Sequence, residues 1–395
     1  MTVKFSSLVQ RIAGEGSDAW RIHYAALAAR ERGEDAIILS VGDPDLATPE
    51  PVVARAVEAL HAGDTHYTMV RGRTALRAAI AAQHAARCGQ RVDPDQVVIL
   101  SGAQNALMAA LLCLSEPGDE VLSLDPMYPT YPATLEASGA ALVRVPLRAE
   151  QGFRLDVNEL HRAITPRTRV LTFATPGNPT GLILSERELS AVATIAREHD
   201  LWIVADEVYA GLAPGGSVPS LARELPERVV TIGSLSKTHA MCGWRVGWLV
   251  GPRELTDHVE NLVLCMLYGL PGFIQEAAVT AIGMAAEAEQ RARDYCNRRA
   301  ALMLEHLHGV PGVAALTPEA GMFMLLDVRG SGLSGRDFAE GLYHEQRVSV
   351  IPGDAFGIQT RDFVRIGFAT DEASLVEACR RLRVYCEALA ATRAR

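Results

Sequence analysis

The chain has 395 residues, 49% of them hydrophobic and 22% charged, and carries a formal net charge of −9. This length suits a large domain with a smaller partner, or two domains of similar size, and the composition is that of a soluble globular protein. The acidic balance argues against a general nucleic-acid or anionic-membrane binder.

From the N-terminus, the first twenty residues, MTVKFSSLVQRIAGEGSDAW, lack the apolar core of a signal peptide. No apolar stretch downstream reaches the roughly 18 residues needed to span a bilayer. Between about residues 50 and 255, short apolar runs alternate with longer amphipathic ones. QVVIL (96–100) reads as a strand that turns through Ser101-Gly102 into the Ala- and Leu-rich helix pattern AQNALMAALLCL. EPGD (116–119) is a turn, followed by the strand EVLSLDP (120–126). RVLTFATP (169–176), LWIVADEVY (201–209), RVVTIGSLS (228–236) and VGWLVG (246–251) are the next strands. Such alternation predicts an α/β fold, a mainly parallel sheet covered on both faces by helices. Ligands of these sheets bind beyond the strand C-terminal ends, where Ser101-Gly102, Asp125-Pro126, Asn178, Asp206 and Lys237 fall.

From about residue 285 the pattern changes to α+β: a long helix, the strands GMFMLLDV, RVSVIPG and FVRIGFA, and a final helix from DEASLVEACRRLRVYCEALAA. The expected organisation is an N-terminal segment, 1–50, joining a small domain; a large domain, 51–284; and the small C-terminal domain, 285–395. Seven scattered cysteines, odd in number and without a C-x-x-C pair, argue against a zinc site or a disulfide framework. They favour a reducing, cytoplasmic setting, and no metal is expected.

Only two lysines, Lys4 and Lys237, stand among the 38 basic side chains. Arginine stays protonated, whereas a deprotonated lysine is a primary amine that condenses with an aldehyde. The neighbours of Lys237 supply what pyridoxal phosphate requires: an amine, a carboxylate for its ring nitrogen, donors for its phenolic oxygen, an aromatic face and a phosphate cup. Asp206 ends a buried-looking strand, with Tyr209 three residues on. Asn178 sits in the turn ATPGNPTG, and Arg245 follows Lys237 by eight residues. Ser234, Ser236 and the amides after Gly102, at a helix N-terminus, can bind a dianion.

In the order SVGDPDLATP, HYTMVRGRTALRAAI, DPMYPTYP, TPGNPTG, ADEVY, SLSKTHAMCGWRVGW, GMFMLLDV and VRIGFA, the chain resembles the fold-type I, pyridoxal phosphate-dependent class I/II aminotransferases over nearly its whole length. The resemblance implies that Lys237 forms the covalent imine with the cofactor and shuttles the proton. It implies that Asp206 pairs with the pyridine nitrogen, Tyr209 and Asn178 with the phenolic oxygen, and Tyr128 with the ring face. Tyr131 lies close enough in sequence to be mistaken for Tyr128. Gly102, Ala103, Gln104, Ser234, Ser236 and Arg245 would hold the phosphate, with Tyr67 reaching it from the other subunit of a homodimer. Arg365 would grip the substrate α-carboxylate, assisted by Asn178 and the backbone at Gly42. His239 reads as packing rather than a catalytic base, and His66 as structural.

For the substrate, no Lys or Arg occurs from residue 254 to 290, where dicarboxylate-specific members carry a partner-subunit arginine. Gln104 stands where some aspartate-specific members have lysine. ENLVLCMLYGLPGFIQEAA (260–278) and GDTHYTMVRGR resemble the arginine-specific branch of the family, implying arginine as donor and pyruvate as acceptor. Asp45 and Glu319 are the acidic candidates for a guanidinium pocket. Aminotransferases for aromatic amino acids, alanine or aspartate, and lyases or oxidases on the same fold, use nearly the same residue set and stay open.

Overall fold

The computed structural model describes residues 4–13 and 15–393. Thirteen strands occur among them. The first, β1 (Ile37–Ile38), pairs outside the main sheet. Seven strands form that sheet: β2 (Val97–Leu100), β3 (Glu120–Asp125), β4 (Ala141–Pro146), β5 (Thr168–Ala174), β6 (Trp202–Asp206), β7 (Val229–Ser234) and β8 (Gly247–Val250). Their order is β2-β8-β7-β6-β5-β3-β4, with β8 alone running against its neighbours. Strands β2, β3, β7 and β8 are buried at every position, as expected where helices cover both faces. Edge strand β4 is different: only Val145 is fully buried along it.

The register brings the strand ends together. Ala174 pairs with Asp206, and Asp206 with Ile232, so β5, β6 and β7 finish along one edge. Because β8 is antiparallel, its first residue, Gly247, lies at that same edge between Ser234 and Leu100. Arg245, Ser234 and the turn after β2 are thereby neighbours, although they are far apart in sequence.

The remaining strands are β9 (Ala314–Ala315), β10 (Phe323–Asp327), β11 (Val348–Ser349), β12 (Ile351–Pro352) and β13 (Phe363–Gly367). An antiparallel sheet, β12-β13-β10-β9, places Arg365 at its centre, opposite Leu325 and Ile351. RVSVIPG, expected as one strand, is two: Val348–Ser349 pairs in parallel with β1, and Ile351–Pro352 pairs antiparallel with β13. The chain changes partner at Val350, which is itself buried. Through β1 the segment before residue 40 is stitched to the C-terminal part, and Gly367 N–H donates to Leu39 O at 2.7 Å. Helices Ala285–Leu307 and Glu372–Arg393 pack together over this sheet, burying Tyr295, Met303, Leu375 and Leu382. No helix among the described residues is long and apolar enough to cross a membrane.

Candidate active site

A cavity of about 260 Å³ opens at the shared strand edge. Lys237 lines it, half-buried, on the turn that follows β7. Its Nζ donates to Gly42 O at 2.7 Å and lies 4.0 Å from Cys242 Sγ. That thiol is pushed up to about 11 by burial, so it stays neutral.

Asp206, the last residue of β6, projects into the same cavity. Its Oδ1 accepts from Val208 N–H at 3.1 Å, and its Oδ2 accepts the hydroxyl of Tyr131. Burial raises the Asp206 carboxyl above its usual range, while Tyr131, Val208 N–H and the Lys237 charge oppose the rise. A buried carboxylate that has hydrogen-bond donors and the Lys237 charge in the same cavity, but no direct ion pair among the described residues, can receive a cationic group there. Tyr128 also lines the cavity and meets Tyr131 edge-on, with ring centroids 6.2 Å apart. The two tyrosines of DPMYPTYP thus do different things: Tyr131 holds Asp206, and Tyr128 presents a ring. Sequence reasoning missed the part played by Tyr131.

Tyr209 and Asn178 stand together, with Asn178 Nδ2 donating to the Tyr209 hydroxyl at 3.5 Å. Burial raises the Tyr209 pKa, keeping the phenol protonated. Its ring packs edge-on against Phe323 at 5.3 Å.

The opposite end of the cavity is built for an anion. Gly102, at φ 83°, precedes helix Ala103–Leu114, whose first N–H groups have no partner within the helix. A Cβ on Gly102 would sit 2.4 Å from Arg245 Nη2, so only glycine admits the guanidinium here. Arg245 is itself left-handed, at φ 57°, and Nη1 is fixed on Cys242 O at 2.8 Å. Ala103, Gln104, Ser234 and Ser236 complete the lining. Gln104 is tied to two threonines: Thr130 Oγ1 donates to its Oε1 at 2.8 Å, and its Nε2 donates to Thr134 Oγ1 at 2.5 Å.

Arg365 is fully buried. It donates to Asn178 Oδ1 at 3.0 Å and to Ser40 O at 2.8 Å, between the rings of Phe323 and Phe356. Its Nε has no partner among the described residues. Burial pulls its pKa below the usual arginine value, although it stays a cation.

Other expected residues lie outside this cavity. Tyr67 is 85% exposed and packs against Tyr268 at a tilt, with ring centroids 4.8 Å apart. His66 is exposed. His239 is buried between Thr238 Oγ1, 2.7 Å from Nδ1, and Ala281 O, 3.0 Å from Nε2, and burial lowers its pKa to about 4. Asp45 and Glu319 are both engaged: Asp45 with Arg299 and the Tyr295 hydroxyl, Glu319 with Arg154 and the Ile183 amide. Neither is free to receive a guanidinium. His161, Glu198 and His199 form an exposed group with ligand atoms within 4.8 Å of one another, none of them lining the cavity.

An amine, a buried carboxylate short of a cation, a tyrosine face and an anion cup accommodate pyridoxal phosphate, and with the sheet order they define a fold-type I pyridoxal phosphate enzyme. The profile of class I and II aminotransferases matches residues 34–382. The chain is 48% identical to the arginine–pyruvate transaminase AruH of Pseudomonas aeruginosa, over 96% of this chain and 97% of that one. It is 33% identical to an aspartate aminotransferase of Pyrococcus horikoshii, covering 90% and 91%. The aspartate aminotransferase of Thermus thermophilus, solved with maleate, superposes with a TM-score of 0.92 at 32% identity, over 97% of this chain and 100% of that one. The chain belongs to the class I and II aminotransferases and is a pyridoxal phosphate-dependent enzyme of that family.

Proposed function

We propose that the protein transfers the α-amino group of L-arginine to pyruvate by ping-pong exchange. The observation that carries this reading is the 48% identity to an arginine–pyruvate transaminase across almost the full length of both chains. The cavity is consistent with it. The position after Ala103 is a glutamine already bonded to Thr130 and Thr134, so residue 104 offers no cation to a distal carboxylate.

Pyridoxal phosphate supplies an aldehyde and an electron-accepting ring. The chain supplies the rest. Lys237 provides the reacting amine and carries the proton away from the substrate α-carbon, with Gly42 O fixing its Nζ. Asp206, braced by Tyr131 and Val208 N–H, is the partner that keeps the ring nitrogen cationic. Tyr209 and Asn178 donate to the phenolic oxygen, and Tyr128 covers a ring face. Gly102, Ala103, Gln104, Ser234, Ser236 and Arg245 hold the phosphate, joined by the partner subunit's Tyr67. Arg365 binds the α-carboxylate as a fork, with Asn178 and the Gly42 backbone beside it.

A homodimer with shared sites is part of this reading. It is supported by exposed Tyr67, Met69, Met266 and Tyr268, apolar or aromatic surface that a second copy would cover. The same reading divides the chain into 1–50, 51–284 and 285–395, supported by the pairing of β1 with β11. A reducing, cytoplasmic setting is supported by seven cysteines that are all free.

The test is a half-reaction. Cofactor-loaded protein is mixed with one L-amino acid at a time and its visible absorbance followed, and pyruvate is then added. Conversion far faster with arginine than with aspartate, alanine or tyrosine, and reversed by pyruvate, is expected. Faster conversion with a dicarboxylic or aromatic donor overturns the substrate. Absorbance that never cycles points instead to a lyase or an oxidase.

A further inference from the structure

Cys242 is a wall shared by two cavities. On one side lies the Lys237 cavity; on the other, an outer cavity of about 560 Å³ opens to solvent. Leu46, Val53, Trp244 and Phe273 make the outer cavity largely apolar. Apart from the neutral Cys242 thiol, Asp43 is the single ionisable group lining it, and its carboxylate is hydrogen-bonded to that thiol but forms no ion pair among the described residues. Asp43 follows Gly42, whose carbonyl holds Lys237 Nζ, and Ser40 of the same loop holds Arg365. One short loop therefore fixes the reacting amine and the carboxylate clamp, and it presents the Asp43 carboxylate, without a cation, against Cys242.

We propose that Asp43 is the specificity-determining residue that receives the cationic end of the amino donor, while the outer cavity's apolar wall packs its aliphatic stem. This deepens, and rests on, the arginine reading above. Cys242 Sγ lies 4.0 Å from Lys237 Nζ and its thiol meets the Asp43 carboxylate, so Asp43 stands one side chain away from the reacting amine. A guanidinium on three methylenes suits both surfaces: its stem removes apolar area from water, and its planar fork matches a carboxylate. Asp45 and Glu319, the two acids expected from the sequence, are instead engaged by Arg299 and Arg154.

The experiment measures dissociation constants by calorimetry for two unreactive acids binding to the cofactor-loaded enzyme. One is 5-guanidinopentanoate, which is arginine without its α-amino group; the other is pentanoate. Wild type is expected to bind the guanidino acid at least about tenfold tighter, a margin that Asp43→Asn removes while changing pentanoate by less than about twofold. Equal weakening of both ligands would reduce Asp43 to a loop-shaping role and overturn the proposal. So would an unchanged margin, or no margin in wild type. The outcome is separable from the arginine–pyruvate reading. If arginine cycles fastest but Asp43→Asn keeps the margin, only the role of Asp43 falls. If the margin depends on Asp43 but arginine cycles slowly, only the substrate assignment falls.

Discussion

Positive charge is handled in two ways along one loop: Arg365 is a buried, permanent cation on Ser40 O, and Lys237 is an amine held by Gly42 O. Lys237→Ala is expected to abolish turnover and the covalent cofactor signal while leaving noncovalent cofactor binding measurable. Turnover at the wild-type rate would remove Lys237 from the chemistry. Arg365→Lys loses the two-pronged grip, so KM for every amino acid should rise about tenfold or more with cofactor colour intact. An unchanged KM would take Arg365 out of the substrate site. Tyr131→Phe leaves the buried Asp206 with one donor and should weaken cofactor binding by about 1–3 kcal/mol, read from the cofactor dissociation constant. That Lys237, Asp206, Asn178, Tyr209 and Arg245 line one cavity was legible as residue types in order, because an amine, a carboxylate and an anion cup each demand one kind of side chain. Tyr131 was not, since two tyrosines three apart look alike until the backbone decides which one meets Asp206. The pairing of Asp45 with Arg299 was equally hidden, being a contact across more than two hundred residues of sequence.

At the level of elements, the parallel core strands were readable because both faces are buried and their apolar runs are continuous. Edge strand β4, with Arg144 and Pro146 in ALVRVP, lacks that run and was not anticipated. Neither was the split of RVSVIPG, since pairing partners leave no mark on local pattern. The reversed direction of β8 has the larger consequence, because it delivers Arg245 and Gly247 to the end of the cavity suited to an anion. A Cβ on Gly247 would lie 2.4 Å from Gly102 C and 2.5 Å from Ala103 N. Gly247→Ala should therefore destabilise the fold by about 1–3 kcal/mol and also weaken phosphate retention. Unaltered melting and cofactor affinity would show that the cup tolerates displacement.

For the whole molecule, two buried groups outside the reaction shape stability against pH. His239 has its folded pKa lowered from 6.5 to about 4 by burial, so its neutral form is favoured and stability is lost as pH falls through that window. Glu207 has its folded pKa raised from 4.5 to about 7, with Oε1 sealed without a partner, so stability is lost as pH rises through that window. Glu207→Gln should flatten the loss of melting temperature between pH 5 and 8, a relief of about 3 kcal/mol at the upper end. A curve parallel to wild type would exclude Glu207 as its source. The scarcity of lysine has a further consequence, for peptide mapping. A protease that cuts only after lysine has two targets, Lys4 and Lys237, and releases fragments 5–237 and 238–395. Once borohydride has fixed the cofactor to the amine of Lys237, the second cut disappears and a single long fragment, 5–395, remains. The occupancy of one lysine nitrogen thus becomes a choice between two band patterns on a gel.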